Sequence, residues 1–266
     1  MSPFFTPIEG PKFVISLPAL LASNLFLWVM SYLWFRYTQK NPKNLKILRT
    51  LAVIQFIEYI VVVIWYYVVD YMAFPMPLFH CRIAKLLLIF LAVVKMDPKY
   101  RAIYSYAVPL AFAGTISSFI APDPGPFAVP HITQCGFYIG HFFLIIFAIA
   151  CLSFDTKALS KEDFINGQKL VFGFNFLIFF IARWSNMNYS YMLHPPIFKD
   201  LAKQIPYVVY VAIVFLAYGL LFSVSFLLVQ YLQKVFFHEH LTDLQEKRRT
   251  LRTGNTEKDK KLWLKN

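Results

Sequence analysis

This chain is short of charge. Only 15% of its 266 residues are Asp, Glu, Lys or Arg, far fewer than a soluble domain of this length needs to cover its surface. Acids are scarcest, with 14 Asp and Glu against 26 Lys and Arg and a formal net charge of +12. In a soluble protein that excess would point to nucleic acid. Here the aromatics lie in apolar runs rather than on a basic sheet, and most of the positive charge lies beside those runs and in the tail, where anionic lipid headgroups attract it. No nucleic-acid partner is therefore expected. Cysteine is equally sparse: Cys81, Cys135 and Cys151 cannot make a disulfide framework, although Cys81 and Cys135 could form one bridge if both face an oxidising side. Met1 to Pro11 contains no basic n-region before the first apolar run, so no cleavable signal peptide is expected and the first helix stays. No transporter-like internal repeat and no low-complexity tract occurs.

What is abundant is apolar and aromatic: 58% hydrophobic residues, 29 Phe and 16 Tyr. Apolar runs of membrane-crossing length fall near 13 to 35, 50 to 71, 77 to 94, 103 to 120, 136 to 154, 168 to 185 and 206 to 232. The expected fold is all-α, a polytopic bundle of seven transmembrane helices. Arg36, Lys40, Lys43, Lys46 and Arg49 crowd the first loop, whereas Tyr71 to Met76 and Ala121 to Cys135 carry no cation. By the positive-inside rule the amino terminus is expected outside and the carboxy terminus in the cytoplasm. Lys95, Lys99 and Arg101 in the third loop and Lys157 and Lys161 in the fifth agree. The division is a membrane domain over 1–232 and a basic cytoplasmic tail over 233–266, expected to start as an amphipathic helix and dissolve into solvated Lys- and Glu-rich sequence. The long loops with Pro122, Pro124, Gly125 and Pro126, and with Pro195 and Pro196, are expected to be ordered lids.

Polar residues inside spans are costly, and the chain has a short set: Glu58, Cys81, Arg82, Lys85, His141, Asn175 and Arg183. Counted from the expected span starts at 1.5 Å per residue, Cys81 lies about 6 Å and His141 about 7 Å below the same membrane face. A thiol and an imidazole at one level are what a cysteine nucleophile with a histidine base requires. Arg82 and Lys85, the latter one turn deeper on the same helix face, would bring positive potential to the thiol; Glu58 is the expected counter-ion of Lys85. Other readings remain open at this point. Cys81 can be inert packing or bridged to Cys135, and His80, His131 and His141 can be combined as a metal site, although they fit no recognised ligand spacing. Trp34, Tyr66, Tyr67 and Trp184 read as interfacial belt residues.

Three motifs carry a resemblance. Pro77, Leu78 and Cys81 in PLFHCRI are similar to a PLHLCxI pattern at the start of a third span. Pro130 and His131, followed ten residues later by His141, are similar to a PHF segment and a following SHG. Asn188, Tyr189 and Tyr191 in NYSYMLHPP are similar to NYMYLxxKP after a sixth span. Over roughly residues 48 to 232 the chain resembles the YwaF-like family of integral membrane proteins, which includes a eukaryotic acyltransferase of ether-phospholipid remodelling. Phe79 stands where that family commonly has His, with His80 one place later, and Gly140 stands where it usually has Ser. The resemblance implies a cysteine-centred acyltransferase with Cys81 as acyl acceptor and His141 as its base. His80, Arg82, His131, Asn188, Tyr189 and Tyr191 become candidates for substrate contact or oxyanion stabilisation. The implied partners are a membrane phospholipid as donor and a lysolipid or another acyl acceptor, at the outer leaflet of a plasma membrane; no cofactor and no metal are called for. The competing class is a seven-helix solute-binding protein or transporter using Glu58, Lys85 and Arg183 without covalent chemistry; a scaffold without chemistry is the third.

Overall fold

The computed structural model describes residues 3–7, 15–69, 76, 78–125, 127, 130–154, 159–195 and 199–263, with side chains of the last helix described as far as Val235. Most of the loop from Tyr71 to Met76, and Pro77, Pro126, Lys157 and Pro196, lie outside the described residues. The helices are α1 (Leu17–Lys40), α2 (Leu45–Val68), α3 (His80–Val93), α4 (Arg101–Ile120), α5 (Ile132–Leu152), α6 (Lys161–Ser185), the single turn α7 (Lys199–Ala202) and α8 (Tyr207–Trp263). No strand occurs among the described residues.

Six of these helices are long and apolar enough to cross a membrane: α1, α2, α4, α5, α6 and α8. α3 is the exception. Its 14 residues make a rod of about 21 Å at 1.5 Å per residue, against a hydrocarbon core of roughly 30 Å. Of the run expected from 77 to 94, the helix covers His80–Val93, and His80, Arg82 and Lys85 in its first two turns leave its apolar part shorter still.

The other helices begin or end beyond their apolar runs, and polar caps explain the starts. Asn44 accepts the Ile47 amide at 3.2 Å and starts α2; Ser160 and Asp163 form a reciprocal capping box that starts α6; His131 and Gln134 do the same for α5. A capped polar turn is stable in the headgroup region, so helix length exceeds hydrophobic length. Asp163 also pairs with Arg101 at 3.0 Å, tying the start of α6 to the start of α4. α8 runs without a break through the 232/233 boundary to Trp263. The tail was expected to lose structure, but its Leu, Glu, Lys and Arg are good helix formers.

α4 is the centre of the bundle, packed by α1, α3, α5, α6 and α8. It is buried around its whole circumference from Tyr104 to Ala113, as an apolar, small-residue helix in a core should be. Pro109 lies within it without ending it. α1, α2, α6 and α8 instead turn large apolar side chains outward, among them Leu25, Ile57, Phe180 and Leu220. Such a belt suits lipid as its solvent and no aqueous one.

Candidate active site

The site is built on two consecutive residues of α4. A Cβ on Gly114 would fall 2.9 Å from the Cβ and 3.3 Å from the Cα of Cys81, so only glycine lets the first turn of α3 lie this close. Thr115, the next residue, is buried and donates its hydroxyl to the His141 carbonyl at 3.1 Å. Cys81 and His141 are therefore held at one level, measured on the helix both lean against. Gly114 is six residues from the end of α4, which places that level about 9 Å beneath the helix end. α5 begins four residues earlier than expected, and His141 lies about 14 Å along it from Ile132.

His141 is buried, and its Nδ1 lies 2.7 Å from the Phe137 carbonyl. A carbonyl only accepts, so Nδ1 carries the proton and Nε2 presents its lone pair. Nε2 is buried and makes no hydrogen bond among the described residues; Cys81 Sγ is thus not in direct contact with it. Around this pair runs charge. Lys85, one turn along α3 from Cys81, pairs with Glu58 of α2. A Cβ on Gly140, the neighbour of His141, would meet Glu58 Oε1 at 2.9 Å and Lys85 Nζ at 3.2 Å. A side chain at this position would press on the ends of the ion pair.

A second cluster borders Cys81 on the other side. Ser190 has φ 45°, in the left-handed region, and is fully buried. Its hydroxyl donates to the Leu78 carbonyl at 2.7 Å, so His80 Nδ1, 3.2 Å from Ser190 Oγ, donates to that hydroxyl oxygen. The His80 ring stacks on Tyr218 at 3.9 Å, whose hydroxyl donates to the Ser190 carbonyl. Asn175 of α6 interacts with His80, at a separation that leaves His80 Nε2 and both amide atoms without a hydrogen bond of standard geometry. This cluster bolts the loop after α6 onto α3 and α8. It also brings the Tyr191 and Tyr218 hydroxyls within electrostatic reach of the Cys81 thiol, together with Arg82 and Lys85. Sequence reading missed Ser190, Tyr218 and Gly114; only Gly114 left a signal, as a glycine inside an apolar helix.

The remaining candidates have defined places. Arg82 reaches the Met76 carbonyl at 3.2 Å and lies over the Phe79 ring. Asn188 spends its side chain on its own loop, accepting the Leu193 and His194 amides and donating to the His194 carbonyl. Tyr189 is buried, edge-on to Phe79. The Tyr191 hydroxyl faces Asp123 at 3.4 Å; burial first, and then that carboxylate, hold its phenol well above the usual value, so it stays a donor. His131 lies apart from Cys81 and His141, packed on Trp65 and Phe127 and capping α5; burial pushes its imidazole below the ordinary 6.5. Arg183 lies over Tyr207 near the end of α6. Cys81, Cys135 and Cys151 are all free. No group of three His, Cys, Asp or Glu able to hold a metal occurs among the described residues.

Six membrane-length helices around a buried polar centre define a multi-pass membrane protein. More narrowly, the chain belongs to the TMEM164 family, whose model matches residues 9–229. That match includes every site residue discussed above. No curated protein and no solved structure matches the chain.

Proposed function

We propose that the protein is a membrane-embedded acyltransferase that passes an acyl chain from a phospholipid to a lysolipid, or to another acceptor in the same leaflet, through a thioester on Cys81. The observation that carries this reading is the placement of Cys81 and His141 on consecutive residues of α4, with a buried, unbonded lone pair at His141 Nε2. In the first half-reaction Nε2 takes the thiol proton as Sγ attacks the ester carbonyl, and the lysolipid oxygen leaves with that proton. In the second, Nε2 deprotonates the acceptor hydroxyl, which attacks the thioester, and the proton returns to Sγ. Sγ and Nε2 are not in hydrogen-bond contact in the free protein, so substrate entry must draw them together or bridge them, as is common for catalytic contacts. Lys85 and Arg82 stabilise developing negative charge, and the Tyr191 hydroxyl is the candidate oxyanion donor. A dry site favours the acceptor over water.

The proposed setting is a plasma membrane, with the amino terminus outside, the carboxy terminus in the cytoplasm and the site facing the outer leaflet. α3 serves as a seventh crossing. Support comes from the cations clustered at one end of the bundle, Arg36 to Arg49, and their absence from 121–135 at the other. Incubating the purified protein with phospholipid should add one acyl mass to Cys81, and Cys81→Ser or His141→Ala should lower transfer at least a hundredfold; full activity in either variant would sink the mechanism. The buried Lys85–Glu58 pair also suits a solute-binding protein. In that case ligand binding survives thiol alkylation and fails in Glu58→Gln.

A further inference from the structure

An open groove of about 550 Å³ runs between α1, α2 and α5, lined by Trp34, Tyr37, Leu51, Ile54, Phe142 and Phe143 among others. Its wall is fixed. The Trp34 indole N–H donates to the Ile146 carbonyl at 2.9 Å, and its ring stacks on Tyr37. With that donor satisfied, the groove offers apolar carbon and little else. Such a slot suits an acyl chain.

One end of the groove opens at the turn between α1 and α2, and that turn is cationic. Arg36, Lys40, Lys43, Lys46 and Arg49 are all exposed there, and no acid lies between Glu9 and Glu58 in the sequence. Lys40, Lys43, Lys46 and Arg49 form no ion pair among the described residues. The turn is anchored: the Lys43 backbone N–H donates to Ser153 Oγ at the end of α5 at 3.1 Å. Three helices that wall the groove thus converge at its basic rim. The amino terminus of the 24-residue α2 adds the positive end of its dipole. Ile47 and Thr50 line the groove and alternate along α2 with Lys46 and Arg49, so the apolar slot and the charged rim meet within one helical turn.

We propose that this groove is a binding site for one anionic glycerophospholipid, with an acyl chain in the slot and its phosphate and further negative headgroup charge on the Lys43, Lys46 and Arg49 rim. Charge selects the ligand: a zwitterionic lipid is neutral overall, its ammonium offsetting its phosphate, whereas an anionic one keeps a net negative charge for the rim; a fatty acid brings one carboxylate where several cations wait. The basic rim lies at the end of the bundle opposite to Cys81, while the inner end of the slot reaches Phe142 and Phe143, which follow His141 on α5.

The test uses the full chain in nanodiscs with phosphatidylserine or phosphatidylcholine, each carrying the same diazirine-labelled acyl chain, and maps photo-cross-links by mass spectrometry. Cross-links to α2 and α5 residues of the groove are expected to be at least tenfold more frequent with phosphatidylserine. The exposed-site variant Lys43→Gln/Lys46→Gln/Arg49→Gln should abolish that preference. Thr50→Trp, which fills the slot and keeps the rim, should remove the groove cross-links. Equal labelling by the two lipids, a serine-lipid preference spread evenly over α6 and α8, or groove labelling that survives Thr50→Trp would overturn the proposal. So would displacement by equimolar oleate.

Discussion

At the scale of single residues, Gly114 sets what the centre of the bundle can hold. Gly114 allows the Cys81 turn to touch α4 backbone to side chain. Gly114→Ala pushes a methyl into the Cys81 Cα and Cβ, and overpacking of this kind costs about 1–3 kcal/mol. We expect a lower midpoint on heating and a loss of Cys81 acylation, with unchanged behaviour arguing against the close approach. His131 makes a different prediction. Its imidazole is held below 6.5 by burial, so the unfolded chain binds more protons than the folded one between the depressed folded value and 6.5. Stability should therefore fall as pH drops below about 6.5, down to the folded-state value. His131→Asn keeps a capping acceptor for α5 and removes the titration. Its thermal midpoint should vary less with pH over that window; an unchanged slope would remove His131 as the cause.

At the scale of elements, the loop after α6 acts as a strap. Asn188 closes it on itself, and Ser190 fastens it to Leu78 and His80. Ser190→Ala leaves a buried carbonyl and a buried imidazole N–H without partners, a change worth about 1–3 kcal/mol; hydrogen exchange at 187–193 should rise, and protection equal to the parent protein would contradict the strap. Little of this was legible in the sequence. The apolar runs of α1, α2, α5, α6 and α8 could be read because lipid-facing surface must be apolar. Their starts could not, because Asn44, His131 and Ser160 cap polar turns that lie outside any hydrophobic count. α3 could be located but not measured, since His80, Arg82 and Lys85 lie inside the helix and do not end it. Cys81 and His141 were singled out by residue type and by a matched expected depth; what they lean on, Gly114 and Thr115, depends on a close approach between helices distant in sequence. Ser190 owes its role to a left-handed backbone that Tyr-Ser-Tyr does not announce.

For the molecule as a whole, charge asymmetry makes a prediction about sidedness. Cys135 is exposed near the start of α5, at the end of the bundle away from the Arg36 to Arg49 cluster. With Cys81 and Cys151 replaced by Ser, an impermeant maleimide added to intact cells should label Cys135. Labelling only after permeabilisation would reverse the orientation and move the proposed site to the inner leaflet.

The shortness of α3 also constrains how the chain enters the membrane. A 14-residue helix with Arg82 and Lys85 near its start partitions poorly by itself, since each buried cation costs about 2.5–3.5 kcal/mol at a helix centre on insertion scales. Its entry must be underwritten by neighbours: Glu58, already delivered on α2, and the groove that Gly114 leaves on α4. Because α4 is synthesised later, α3 should wait at the translocon until residue 120 has emerged and then enter as a hairpin with it. A glycosylation acceptor placed before His80 would report this, with chains cut before Arg101 and after Ala121 modified differently. Equal modification would mean that α3 inserts alone.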